Sequence, residues 1–330
     1  MGFLLSLLRF GVAFGALVFA FTATAAYFGS LLPALDLFNH FQPLLFAGTL
    51  VGSVAITVLF PPGRPRAVLM GLTIFGFAAS AATFVPEVLS GFQGRPALPG
   101  DGRPVVRIMT HNVFGLNEDM QRVSDVVAAE DPDIVAFQEF FPGQSAGLVP
   151  LLKPRYPYYV RCKGGKRANI ALFSRLEFTQ IDPEACPSNA YGRQRTAHIV
   201  AAFTLENGQQ FSVLTTHLDW PAPMERQIAE FAELIKTVQS VKGPLVVVGD
   251  FNSTPWSYAL RSFVKEAGLE RQTRNVWTYP MRFSIKGWRD TWPFLPLDHV
   301  MTRGMAVHEL HTAPATGSDH LPVVFEASVE

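Results

Sequence analysis

Residue types suited to binding a metal ion or a phosphate recur at the ends of apolar runs. They are Asn112 in MTHNVFG, Glu139 in VAFQEF, His217 in TTHLDW, Asp250 and Asn252 in VVVGDFNSTP, Asp298 in PLDHVM, and Asp319 with His320 in GSDHLPVV. A single Asp at a strand end is ordinarily a turn residue or a helix cap. Repetition of the pattern through one stretch of chain points instead to a shared site. Hydrolysis of a phosphate ester needs such a set, because the anionic ester repels nucleophiles until a cation shields it, a water is activated and the departing oxygen is stabilised. Carboxylate and amide oxygens suit Mg²⁺, which retains several waters and takes one or two protein carboxylates. Glu139 is the leading ligand, Asn112 stands beside it, and Asp319 completes the shell directly or through water. Asn252 and Asp319 also admit ordinary roles, as a cap and a structural acceptor. His111 reads as a structural neighbour of Asn112, and His299, adjacent to Asp298 on a strand, should face the opposite way.

The elements that must position these residues follow from apolar spacing. Val105–Val113 reads as a strand, 118–130 has helical spacing, and Asp133–Glu139 is a buried strand, which together make a crossover unit. A loop with a short helix follows, then strands near Tyr156–Cys162 and Asn169–Ser174. His198–Leu205 and Phe211–Leu218 flank Asn207-Gly208, a hairpin signal because both residues tolerate positive φ. Ile228, Phe231, Ile235 and Val238 mark the buried stripe of a helix from about Met224 to Val241. Leu245–Val248 is a buried strand that delivers Gly249-Asp250-Phe251-Asn252, and late strands are expected at 297–302, 305–312 and 321–327. The hairpin implies antiparallel pairing, so stacked sheets with helices outside fit better than a doubly wound parallel sheet.

In this order the motifs resemble the endonuclease/exonuclease/phosphatase superfamily, which includes deoxyribonuclease I, over about Val105–Val329. GDFN followed by SDHLPV is the most specific part. The resemblance implies an α/β fold, a four-layer α/β/β/α sandwich of two packed mixed sheets flanked by helices. It also implies metal-dependent cleavage of phosphate esters, with Mg²⁺ as cofactor and Mn²⁺ as the alternative. By the same likeness His320 meets the scissile phosphate with Asp298 fixing its tautomer. Asp250 and Asn252 align the attacking water and contact the phosphate, and His217 donates to a phosphate oxygen. Asp250 and His320 are both suited to be the general base. The chain departs from some DNA-repair members at Phe114, where they carry an acidic metal-shell residue two positions after the Asn.

Composition separates this region from what precedes it. Charged residues make up 16% of the 330, against roughly 25% in an average soluble domain, and residues 1–90 hold only Arg9, Asp36, Arg64, Arg66 and Glu87. This excludes a wholly soluble chain, a disordered one and a disulfide-rich mini-protein. Three apolar runs, about 10–30, 41–60 and 67–85, are each near the ~20 residues that cross a bilayer. A cleaved signal ending near Ala23-Thr24-Ala25 is the alternative for the first, which is longer than a usual signal core. Residues 1–90 are therefore expected to be a transmembrane region, the Gly- and Pro-rich 91–103 a linker, and 104–330 the phosphoesterase domain. Arg9, Arg64 and Arg66 put the N-terminus in the cytoplasm of a bacterial inner or plasma membrane protein, with the domain outside. An oxidising compartment would permit Cys162 and Cys186 to pair.

The basic run Lys153, Arg155, Arg161, Lys163, Lys166 and Arg167, followed by Arg193 and Arg195, reads either as a patch for a polyanion or anionic lipid surface or as a solvated loop. The balance of 27 basic and 27 acidic residues argues against a dedicated duplex-DNA enzyme. Tethering near a bilayer raises the effective concentration toward head groups, which makes a lipid-linked phosphate or pyrophosphate a natural substrate. A nuclease acting on extracytoplasmic DNA or RNA is the second reading, and a non-catalytic phosphate-binding scaffold the third.

Overall fold

The structure is a computed structural model that describes residues 2–100, 102–163, 167–181, 196–284 and 288–330. It divides into two compact units, one of Met1–Phe92 with Pro221–Glu225 and Thr254–Arg261, the other of Gln93–Trp220, Arg226–Ser253 and Ser262–Glu330.

The first unit contains α1 (Gly2–Tyr27), the short α2 (Pro33–Asp36), α3 (Gln42–Leu59) and α4 (Arg64–Ser90). Three of its helices are long and apolar enough to cross a membrane. Small residues let them approach: a Cβ added at Gly76 would lie 2.6 Å from the Ala20 Cα, and one at Gly52 would lie 2.8 Å from the Ala16 Cβ, the close contact typical of apolar helix pairs. The apolar pattern suggested that the last helix stops before Pro86, yet α4 runs through it to Ser90. One missing N–H is tolerated where side chains and neighbouring helices satisfy the freed groups. Polar residues form a buried chain, with the Ser80 Oγ donating to Gln42 Oε1 at 2.6 Å, Gln42 Nε2 to Asn39 Oδ1 at 2.7 Å and Asn39 Nδ2 to Asp36 Oδ1 at 2.7 Å. Asp36 also accepts from the backbone N–H groups of Tyr258 and Ala259 and from the Ser257 hydroxyl, a helix N-cap supplied from a distant part of the chain.

The second unit is built on two six-stranded sheets. The first sheet comprises β1 (Val106–Asn112), β2 (Ile134–Gln138), β3 (Tyr158–Cys162), β4 (Ile170–Ser174), β13 (Met305–Thr312) and β14 (Val323–Val329). The second comprises β5 (Phe178–Ile181), β6 (His198–Thr204), β7 (Gln210–His217), β8 (Leu245–Asp250), β9 (Glu270–Arg271) and β12 (Asp298–Arg303). The hairpin of β10 (Arg282–Ser284) and β11 (Trp288–Asp290) stands apart. Each large sheet is mixed: β1 runs parallel to β2 and β7 to β8, and the remaining pairs are antiparallel. Ile108, Ile134 and Phe325 of the first sheet share a core with Val213, Val246 and Val300 of the second. Alternate residues Met109, Val135 and Phe137 pack outward on α5 (Met120–Glu130) and α6 (Pro142–Leu152), through Val123, Val127 and Leu148. On the far side, Phe231 of α7 (Met224–Ser240) and Phe263 of α8 (Tyr258–Glu266) stack near Phe251. Strands covered on both faces read as continuous apolar runs, and the order of layers is α/β/β/α, as the resemblance implied.

Elements too short for periodicity escaped the sequence, namely β5, β9, β10, β11 and α8. At Asn207-Gly208 the hairpin forms, with only Gly208 among the two taking a positive φ, 84°. Cys162 is disulfide-bonded, while Cys186, Lys166, Arg193 and Arg195 lie outside the described residues.

Candidate active site

Strand register sets out half of the site. His217 ends β7 opposite Asp250, which ends β8, and Asp250 lies opposite Asp298 at the start of β12. Two carboxylates facing each other across a ladder repel, and a third element relieves them. His320, in the connection that leads into β14, places Nδ1 2.7 Å from Asp298 Oδ2 and Nε2 3.7 Å from Asp250 Oδ2. All four side chains are buried. Asn252 follows with φ 46°; its N–H donates to Asp250 Oδ1 at 2.8 Å, and its Nδ2 donates to the Leu218 carbonyl at 2.8 Å and lies 3.3 Å from His217 Nε2. Its side chain thus serves the site and caps no helix.

The first sheet contributes from its corresponding strand ends. Asn112 ends β1 beside Gln138, and Glu139 is the next residue, half-buried and left-handed at φ 54°. The Gly115 N–H donates to Glu139 Oε2 at 2.7 Å. Asn112 bridges the two halves, its Nδ2 donating to Asp250 Oδ2 at 2.9 Å. Ser318 locks the connection before His320, its hydroxyl donating to the Asn112 carbonyl and accepting from the His320 N–H.

Burial and charge pull these groups apart in proton affinity. Burial alone would lower the His320 pKa, but the Asp298 and Asp250 carboxylates and the hydrogen bond to Asp298 hold it up at about 10. Asp250 is shifted above the usual carboxylate range by burial, with Asp298 adding to the effect. Asp319 is raised to about 6, by burial first and by the Glu139 and Asp250 charges. His217 is lowered by burial. Such divergence among neighbouring titratable groups is a common mark of functional sites.

The residues fit a divalent cation. Glu139 and Asp319 supply hard oxygens, and the buried Asp319 Oδ1 and Asp298 Oδ1 have no hydrogen-bond partner among the described residues, a costly state for a carboxylate unless a cation or donor meets it. Asp250, Asp298 and His320 also hold one potential ligand atom each within 4.8 Å of one another, although Asp298 and His320 are already bonded to each other. Asn112 differs from its expected use: its Oδ1 accepts from the Phe114 N–H at 3.0 Å, so the amide as placed turns nitrogen toward the carboxylates. Coordination by its oxygen requires rotation of the amide.

Other expectations resolve similarly. His111 bonds Thr316, and His299 bonds Thr273 and the Ser253 carbonyl, so both are structural. Within the basic run, Arg155 pairs with Asp131 and Arg167 with Asp219. Sequence reasoning missed Tyr279, whose ring centroid lies 4.7 Å from that of His320 and 5.8 Å from that of Trp220; no periodic pattern marks it. It also missed Ser318, Gln144 and Gln227. Asn117, Met281 and Ser318 line part of a neighbouring cavity of about 570 Å³, within the range of small-ligand sites.

A model of the Endonuclease/Exonuclease/phosphatase family matches residues 109–320. A UPF0294 protein of Vibrio cholerae serotype O1 is 28% identical over 190 residues, 57% of this chain and 56% of that protein. One of Erwinia tasmaniensis is 29% identical over 136 residues, 40% and 46% of the two chains. The matches span about half the length of these curated relatives. Among solved structures, an endonuclease/exonuclease/phosphatase family protein of Bacteroides thetaiotaomicron superposes with a TM-score of 0.55 at 16% identity, covering 69% of this chain and 99% of the other. The human Nocturnin catalytic domain, solved with a bound sulfate anion, gives 0.51 at 20% identity, covering 69% and 96%. At these identities the likeness speaks for the fold.

Proposed function

From the premise that the chain belongs to the endonuclease/exonuclease/phosphatase family, we propose that it is a membrane-anchored, divalent-metal-dependent phosphoesterase acting outside the cytoplasm, with a lipid-linked phosphodiester or pyrophosphate as substrate. The observation that carries the chemistry is the buried His320–Asp298 pair, 2.7 Å apart, set against Asp250. With a pKa held near 10, His320 is an imidazolium at neutral pH, able to donate to a phosphate oxygen or to the leaving group, while Asp298 fixes its orientation. In this reading Asp250 is the general base and takes the proton of the attacking water. Asn252 and His217 contact the phosphate and keep the water in line. A Mg²⁺ or Mn²⁺ bound there would supply shielding of the phosphate charge and of the negative charge that develops. Glu139 and Asp319 would hold it, with Asn112 after rotation of its amide.

The anchor and orientation have separate support. Three helices have spanning length and composition. Arg64 and Arg66 stand in the first turn of α4, next to its connection with α3, whereas the connection between α1 and α3 carries Asp36 and no Lys or Arg, the bias expected of a cytoplasmic N-terminus. In this reading Asp36, which bonds Ser257, Tyr258 and Ala259, stands on the extracytoplasmic side. A disulfide-bonded Cys162 suits an oxidising compartment. The nuclease reading is weakened by the pairing of Arg155 and Arg167 with acids, since nucleic-acid affinity draws on free cations.

The test is Mg²⁺-dependent turnover by the full-length protein in detergent, offered a polyprenyl pyrophosphate and plasmid DNA side by side with His320→Ala as control. Phosphate release from the lipid, absent in the variant, is expected. Cleavage of plasmid alone would replace the lipid reading with the nuclease one, and binding without turnover of either would favour a scaffold.

A further inference from the structure

Several residues that carry the site sit in backbone conformations that need outside support. Phe114, Glu139 and Asn252 have φ of 61°, 54° and 46°, in the left-handed region that L residues adopt at a cost, least for Asn. The loops containing them turn carbonyl oxygens inward, and in each half of the sandwich one buried glutamine from an outer helix gathers those oxygens. Gln227 of α7 is fully buried, and its Nε2 meets the carbonyls of Asp219, Phe251 and Asn252 at 2.9, 3.1 and 3.2 Å. Gln144 of α6, 6% exposed, meets the carbonyls of Gly115 and Asn117 at 2.9 and 3.0 Å.

The held peptides touch the site directly. Gly115, whose carbonyl Gln144 binds, donates its N–H to Glu139 Oε2 at 2.7 Å. Asp219 lies two residues beyond His217, and the Asn252 side chain contacts His217. Loss of either amide would withdraw a shared donor from convergent carbonyls, which costs more than the net value of the bonds where a buried acceptor finds no other donor.

We propose that Gln144 and Gln227 are paired positioning residues with separable effects. Gln144 fixes Glu139 through Gly115 and so sets affinity for the cation, while Gln227 fixes Asn252 and the His217 loop and so sets affinity for the phosphate. Only the kinetic part of the test rests on the phosphoesterase reading, because binding is measured without turnover.

The experiment uses full-length protein in detergent with Gln144→Met and Gln227→Met, which keep side-chain length and remove the amide. Calorimetry with Mn²⁺ alone, calorimetry with inorganic phosphate in the presence of saturating Mn²⁺, and kcat and KM are compared. Gln144→Met is expected to weaken Mn²⁺ binding at least tenfold, in the range seen when outer-sphere partners of metal ligands are removed. Gln227→Met is expected to weaken phosphate binding by a similar factor and to lower kcat, with Mn²⁺ binding within twofold of wild type. If a Met protein does not fold, Gln→Asn, which keeps a donor set one bond short, carries the same comparison. Equal loss of both affinities in both variants, or no loss in either, overturns the proposal.

Discussion

The two sheets end in opposite kinds of chemistry. At the end of the second sheet, His217, Asp250 and Asp298 are buried, and imidazoles stand against the acids within hydrogen-bonding or ion-pair reach. The imidazoles supply donors to the acids there, while the Asp298 and Asn252 Oδ1 atoms stay without a hydrogen-bond partner among the described residues. At the end of the first sheet, Glu139 is half-buried with one backbone donor at 2.7 Å, and Asp319 keeps a buried oxygen without a partner. That end is rich in acceptors and poor in donors. Under the proposed function the difference suits the second sheet's end to a transferring proton and an oxyanion, and the first sheet's end to a cation.

The largest effects are expected at the end of the second sheet. Asp250→Ala and His320→Ala should each lower kcat by about 10³-fold or more, the scale seen when members of a catalytic unit are removed, and the double variant should lose little beyond the larger single loss. Additive losses in steady-state kinetics would mean that the two act independently. At the acceptor-rich end, Glu139→Gln should raise the Mg²⁺ concentration for half-maximal activity by at least about tenfold, with much of kcat recovered at saturating metal. A metal titration in which only kcat falls would group Glu139 with Asp250 and His320.

The smallest expected effect concerns Asp319 and is read on stability without metal. Its carboxyl is raised from 3.8 to about 6, so the native state holds its proton more tightly than the unfolded chain. The associated stability is fully present below pH 3.8 and is lost as pH rises through about 6. Asp319→Asn should therefore melt above wild type at pH 8, by up to roughly 3 kcal/mol at 1.36 per pKa unit, with most of the difference gone at pH 4.5. Thermal melts in chelator that show the same gap at both pH values would remove Asp319 from the strained set.

The fold was legible where elements are long. The crossover of β1, α5 and β2, the β6–β7 hairpin, α7 and β8 carry unbroken periodicity, because covered strands and half-covered helices impose it on sequence. The hairpin of β10 and β11 and the nine-residue α8 carry too few apolar positions to register a period. Within the site, GDFN and SDH were visible because several polar residues cluster at strand ends. Tyr279, Gln144 and Gln227 were not, since a lone Tyr or Gln in a loop or helix has the same local appearance whether it faces solvent or supports a site.

By itself the sequence determined the apolar segments, the strand ends and the identities of the acids, imidazoles and amides at them, because these depend on local patterning and residue chemistry. Only the tertiary structure decided that Asp250 lies opposite Asp298, that His320 stands between their carboxylates, that the Asn112 oxygen is committed to Phe114, and that helix glutamines gather the site loops. Those facts join residues from 2 to 70 positions apart, and strand register and layer packing, which bring the distant ones within hydrogen-bonding distance, leave no local trace in the chain.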